Sequence, residues 1–310
     1  MNNSEKKTAA VSFSQLIDAV RHNKYQLSSG KNILELPLYF VLGKTFLNNY
    51  DEFLNKYKEL LLEHNTDDEI LAIVEKLSKG LWDTIDEYLK GDIISSYSIF
   101  CNTMSPIKHI LPHRTISQCV FYRMRSETGL SDPKDFWHIP FHKQYLSKSE
   151  RFSIEGYPIL YLGYSKRVCE LEITEGTLAK YSLINSIENV IDLTLGQGEN
   201  QKLISDRDLM KIFPLIASCY IVPYYSAICQ KECKPKGVSF REEYILPQFL
   251  TLYLRNEMKA NGIIYYSVKE PNLQTNGIGE DDLKNLALYT TRIEGEEYDI
   301  QLMGKFEITL

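Results

Sequence analysis

YPILYLGYSKRVCELEI, Tyr157 to Ile173, is the stretch on which the reading of this chain turns. Pro158 to Gly163 is apolar and aromatic, as a buried strand should be. After Ser165, Lys166 and Arg167 the chain sets Glu170 and Glu172 among Cys169, Leu171 and Ile173. If the segment is extended, Cys169, Leu171 and Ile173 share one face and the two glutamates share the other. Two acids on a core strand are either its wet side or part of a site, and the rest of the chain has to decide.

Downstream and upstream the texture is strand-like. CVFYRMR, PILYLGYS, NVIDLTL, CYIVPYY and GIIYYSV are short β-branched and aromatic runs set between Gly, Pro and polar loops. One helix lies among them. Pro247 suits its first turn, Phe249, Leu250, Leu252 and Leu254 fill it, and Asn261-Gly262 is expected to close it. The loops from Gly196 to Arg207 and from Lys231 to Gly237 are expected to be the mobile parts.

Ahead of Thr115 the pattern is helical. Ser12 with Gln15, and Thr66 with Glu69, have capping-box spacing. Ile70, Ile73, Val74 and Leu77 recur at helical intervals, with Gly80 as the expected end. A further helix runs through Trp82, Ile85 and Leu89 to Gly91, and another from Ile93 to Met104. Pro106 to Arg114 interrupts the series. The fold class is therefore α+β: an all-helical N-terminal domain over residues 1–110, then a mixed or antiparallel β domain with helices over 115–310.

Composition narrows the classes of function. The chain has 310 residues, 44% hydrophobic and 25% charged, with a net charge of −6. That balance suits a soluble globular protein and argues against broad nucleic-acid binding. No apolar run is long enough to span a membrane, and MNNSEKKTAAVSFSQ lacks the apolar middle of a secretory signal. Scattered cysteines make no disulfide framework, so a reduced, cytoplasmic setting is expected. Cys229 and Cys233 form a lone CxxxC, and Pro112 breaks the helix that His109 and His113 would need to act as a pair. No metal is expected.

Three strand-like segments carry polar residues that the pattern does not require. Alternation in CVFYRMR sets Arg123 and Arg125 on one face and Tyr122 and Met124 on the other. RVCELEI carries its glutamates, and in GIIYYSV Ser267 shares a face with Tyr265 and Ile263. Arg151 stands just before the Glu155-Gly156 turn into the core strand. Each has an ordinary explanation, since an arginine beside a strand is commonly a solvated edge of little energetic weight. Their joint appearance in one domain points to a site.

The order Arg123, Glu172, Ser267 resembles the RES domain, named for an Arg, a Glu and a Ser in that sequence. YRMR resembles its first Arg strand, and RFSIEG followed by PILYLGYS resembles its Arg-Phe/Trp-Asn…Gly…Leu-Tyr-Leu-Ala…Ser run. The seven-residue step from Ser165 selects Glu172 over Glu170, and REEYILPQFLTLYLRN…NGIIYYS resembles the closing helix and strand that deliver the Ser. The likeness covers about half the chain, Gln118 to Val268. Ser153 stands where the family has Asn, and Cys169 where it has Ala.

The resemblance implies an ADP-ribosyltransferase-like fold and action on NAD as substrate, with no resident cofactor and with water or inorganic phosphate as acceptor. It implies a toxin or defence effector that depletes NAD and is restrained by an antitoxin or other regulatory partner. Arg123, Glu172 and Ser267 would be catalytic, and Arg123, Arg151, Tyr161 and Ser267 would bind NAD. Guanidinium groups suit a pyrophosphate, and a fixed carboxylate suits the oxocarbenium-like state of nicotinamide loss. Glu170-Leu171-Glu172 also resembles the Glu-x-Glu pair of arginine-modifying ADP-ribosyltransferases, so transfer to a macromolecule stays open, as does a non-catalytic nucleotide sensor. The helical segment resembles the HEPN-like region of longer members. It lacks their Arg-x4–6-His spacing, because Arg21 is followed at once by His22. A regulatory or dimerising role is expected of it, with a homo-oligomer allowed.

Overall fold

The computed structural model describes residues 46–63, 66–194, 204–205, 207–219, 240–267 and 283–310. These fall into two units. The first holds the described residues up to Leu111 and those between Ile204 and Phe249, and the second holds the remainder.

The first unit is built from helices. In α1 (Phe46–Glu63), Tyr50, Phe53, Leu54, Tyr57, Leu60 and Leu61 are buried at the three- and four-residue spacing of one helical face. That face meets the helical stretch 207–219: the Tyr57 and Phe213 ring centroids are 4.6 Å apart, and the Tyr50 and Ser218 hydroxyls are 2.6 Å apart. Helix α2 (Asp68–Leu89) is capped by Asp67, whose carboxylate accepts from the Glu69 amide, so the cap lies one residue beyond the Thr66 expected.

Gly80 does not end this helix, which runs on for another two turns to Leu89. Its missing side chain is used for packing instead. A Cβ there would sit 2.0 Å from Thr103 Oγ1 on α3 (Ile93–Met104), so glycine lets the two helices approach. Helix α3 has the bounds read from the sequence.

The second unit is a sheet with short helices, so the chain is α+β. Its strands are β1 (His113–Ile116), β2 (Val120–Arg125), β3 (Ile159–Gly163), β4 (Thr177–Leu183), β5 (Ile187–Asp192), β6 (Gly262–Tyr266), β7 (Lys284–Tyr289) and β8 (Phe306–Thr309). Among the described residues they form one sheet in the order β1-β5-β6-β7-β3-β2-β4-β8. Only β5 and β6 pair in parallel, which makes the sheet mixed. Leu160, Leu162, Leu286, Leu288 and Ile264 point to one face and join Phe121, Tyr181, Trp137 and Phe306 in the core.

Two expectations fail locally. RVCELEI is not extended: Lys166–Glu172 is helix α4, for reasons set out below. Asn261-Gly262 does not close the helix, because α5 (Ile245–Asn256) has already ended and Gly262 opens β6. There a Cβ would lie 2.6 Å from the Ala287 carbonyl, so the strand needs glycine for close approach. The short helix α6 (Ile300–Met303) precedes β8. Within CYIVPYY, Cys219 lies in the 207–219 helix, and the rest of that run falls outside the described residues. So do the Ser12 capping box, Arg21, Cys229, Cys233, residues 196–203 and 206, and the loop 231–237.

Candidate active site

Strand β3 ends at Gly163 because the chain must turn and wind. Ser165 is extended, with φ −137° and ψ 164°, and its hydroxyl accepts from the Val168 amide at 3.2 Å. That is an N-cap, and it starts α4. Val168 and Cys169 then pack back over Gly163, whose Cβ position lies 2.4 Å from Val168 Cγ1 and 2.8 Å from Cys169 Sγ. Period-2 alternation was the wrong rule here, since the buried pair is adjacent in sequence and faces a glycine. In a helix, residues two apart lie roughly 200° round the axis. Glu170 and Glu172 therefore point to opposite sides.

Glu172 is the last residue of α4, and Ile173 closes the helix by donating its amide to the Cys169 carbonyl at 2.9 Å. An acid at a helix C-terminus faces the negative end of the dipole. The compensation comes from another strand: Ser267 Oγ donates to Glu172 Oε1 at 2.7 Å. Ser267 follows β6 directly, is 8% exposed, and is tied by its amide to the Leu283 carbonyl at 2.8 Å. Two residues separated by 95 positions thus meet in a charge-assisted hydrogen bond.

Arg123 lies where the sheet opens. Strand β2 pairs with β4 from Val120↔Ser182 to Arg125↔Thr177, but with β3 only at Tyr122↔Gly163. Alternation sets Arg123 on the side of buried Phe121, and Nη1 donates to the Tyr161 carbonyl at 3.1 Å. The side chain thereby fills a position that a continued ladder would give to a backbone amide. Burial holds the guanidinium below its ordinary pKa, opposed by Tyr181 and reinforced by Arg125. Among the described residues, no carboxylate lies within ion-pair distance of it.

Arg151, unlike the half-buried Arg123, is buried. Its Nη2 donates to the Tyr266 carbonyl at 2.7 Å, and its guanidinium carbon lies 4.6 Å from the Tyr265 ring centroid and 5.2 Å from that of Phe152. Tyr161 relates to both arginines: its carbonyl accepts from Arg123, and its hydroxyl feels the charge of Arg151 and then Arg123. Its hydroxyl is buried beside Ser153, whose own proton goes to the Lys148 carbonyl at 3.1 Å. Burial raises the Tyr161 pKa well above the usual phenol range, with Ser153 and then Arg151 opposing.

Five residues singled out in the sequence therefore belong to one neighbourhood. Glu172 and Ser267 touch, Arg151 holds the residue before Ser267, and Arg123 joins through Tyr161. Tyr265 was missed as a site residue, although it shares a face with Ser267. Its hydroxyl is pushed up by burial and feels, in turn, Tyr161, Arg151, Glu172 and Glu150. Glu150 had no signal in the sequence beyond lying next to Arg151. His109 sits in a 3-10 turn and His113 at the start of β1, so they share no helix.

Among the described residues, no helix is long and apolar enough to cross a membrane. No family model and no solved structure matches the chain. Over 262 residues, 78% of this chain, it is 27% identical to the protein named "Putative toxin YopC" of Bacillus subtilis (strain 168). The alignment takes in 58% of that relative, so the chain spans less than two thirds of its length, and the likeness suggests a toxin family.

Proposed function

We propose that this chain is a RES-domain enzyme of ADP-ribosyltransferase-like fold that degrades NAD and acts as a cytoplasmic toxin or defence effector. The observation that carries the reading is the 2.7 Å hydrogen bond from Ser267 to Glu172, in the same neighbourhood as the half-buried Arg123, which among the described residues has no carboxylate at ion-pair distance. The chemistry follows from those groups. Arg123 offers a cation to the pyrophosphate. The bond between nicotinamide nitrogen and ribose breaks with its electron pair leaving on nicotinamide, and positive charge develops on the ribose. The Glu172 carboxylate, fixed through one oxygen by Ser267, stabilises that charge and orients the acceptor. Water as acceptor yields ADP-ribose and a proton, and phosphate yields the phosphorylated sugar. Tyr161 lines the arginines. An antitoxin or the N-terminal helices supply restraint.

The helical turn of α4 favours this outcome over transfer to arginine side chains. A Glu-x-Glu pair acting on one substrate needs both acids on one side, and helix winding separates Glu170 from Glu172.

The test is incubation of the purified full chain with NAD, with and without phosphate, with products identified by chromatography and mass. Nicotinamide appearing with ADP-ribose, or with its phosphorylated form only when phosphate is added, is the expected result. Label from NAD appearing instead on a macromolecule would identify a transferase. NAD left intact, with no measurable NAD binding, would sink the proposal.

A further inference from the structure

Arg151 has a guanidinium of the kind that grips phosphates, yet its surroundings define a different task. The group is 8% exposed, lies against the faces of Tyr265 and Phe152, and donates to the Tyr266 carbonyl at 2.7 Å. Tyr265 and Tyr266 are the last residues of β6, and the next residue is Ser267. The Tyr266 carbonyl and the Ser267 amide belong to one peptide plane, the plane that aims the Ser267 hydroxyl, and its amide edge is anchored to the Leu283 carbonyl at 2.8 Å. Arg151 holds the carbonyl of that plane. Its own backbone is held in a tight local fold, since Glu150 and Ser153 exchange backbone hydrogen bonds on either side of it. Phe152 in turn has its carbonyl occupied by Thr251 Oγ1 at 3.1 Å.

We infer that Arg151 is a positioning residue that clamps the end of β6, and so sets the Ser267 hydroxyl against Glu172, instead of being a ligand for the substrate's phosphates. A stacked guanidinium donating to a backbone oxygen is rigid in a way an ammonium cannot reproduce. It fixes the plane, the distance and the direction together. The kinetic consequence rests on the reading of Glu172 and Ser267 proposed above. The structural consequence does not.

Two measurements on Arg151→Lys test the inference. Without ligand, amide hydrogen exchange in a peptide covering Gly262 to Ser267 should quicken by about tenfold or more, while α1 to α3 are unchanged. In NAD turnover, kcat should fall by about 10- to 100-fold with KM within about threefold. The loss should not add to that of Ser267→Ala in the double variant, because both disable one hydroxyl. Arg151→Gln, whose amide falls short of the Tyr266 carbonyl, should show the same loss in both measurements and serves if the lysine variant folds poorly. Unchanged exchange overturns the inference. So does a rise confined to KM, whatever the exchange shows, because that is the behaviour of a phosphate ligand. Should the parent protein leave NAD untouched, exchange alone decides the clamp, and the NAD reading fails separately.

Discussion

Gly163→Ala is the substitution whose consequence is most closely fixed by the packing. The added methyl carbon would stand 2.4 Å from Val168 Cγ1, 2.8 Å from Cys169 Sγ and 3.1 Å from the Ser165 carbonyl oxygen. Carbon atoms in contact prefer roughly 3.5–4.0 Å, so the nearest pair is short by more than about 1 Å. Val168 and Cys169 have short, buried side chains, and neither can swing away. The whole of α4 must retreat, at a cost of about 1–3 kcal/mol as for other overpacked cores. The same movement carries Glu172, whose 2.7 Å bond to Ser267 cannot survive a displacement of that size. A misplacement of about 1 Å is worth roughly a hundredfold in rate. NAD turnover and thermal melting of the purified variant measure both effects. Val168→Ala in the same background should recover part of the activity by making room. Turnover within about threefold of the parent, with an unchanged melting temperature, would refute the claim that Gly163 sets the position of α4 and through it that of Glu172.

Three further outcomes are expected. Glu172→Gln should lower kcat by at least about a hundredfold, as for loss of a positioned electrostatic group, while Glu170→Gln, on the other side of α4, stays near the parent; reversal of the two would mean that the wrong acid faces the substrate. Asp192→Ala should cost about 3–5 kcal/mol in denaturant unfolding, because the fully buried acid holds Arg114 at 3.2 Å and accepts from both the Thr194 amide and hydroxyl, and its loss leaves a guanidinium without its partner; a change below about 1 kcal/mol would contradict this. His138 donates from Nδ1 to the Ile139 carbonyl and accepts the Asp299 amide at Nε2, which fixes the neutral ring. Burial depresses its pKa below 6.5, against the Ile139 bond and the charge of Asp299. The unfolded chain therefore takes a proton that the folded ring refuses, so this contribution is complete above pH 6.5 and lost as pH falls through the folded value. An NMR titration with the His138 ring protonating above 6.5 would show the opposite sign.

Much of the architecture could be read from local pattern because local pattern caused it. Helix α3 is bounded by Asp92 and Ser105, and β3 is apolar because both its faces are covered. Where the reading failed, a distant partner decided. Gly80 looks like a terminator until Thr103 of the next helix is set against it. RVCELEI alternates like a strand, yet the Ser165 cap and the space above Gly163 wind it into a helix. The choice of Glu172 is independent of that error, because it rested on the step from Ser165, which in the folded chain runs from the N-cap of α4 to its last residue. Tyr265 showed in the sequence only the face it shares with Ser267, and Glu150 showed nothing, since their contacts there depend on Arg151 folding back across the end of β6.

Arg123 is the residue that stability alone does not account for. Its strand neighbour on the same face, Phe121, is fully buried, and opposite it stands buried Ala179. An apolar side chain would extend that core at no cost in desolvation. In its stead the fold sets a half-buried guanidinium there, lets β2 and β3 part after one paired position, and satisfies the Tyr161 carbonyl with a side chain. Even partial desolvation disfavours a cation until an anion meets it, and burial does hold this guanidinium below its ordinary pKa. Conflict between what a core prefers and what a position holds is characteristic of functional sites. Here it falls on β2, beside the strand β3 that presents Tyr161 and leads into the helix bearing Glu172. The opening in the sheet, the cation set in it, and the carboxylate fixed by Ser267 meet around one short sequence, Ile159 to Glu172, whose strand β3 lies between β2, which carries Arg123, and β7, the partner of the strand that leads to Ser267.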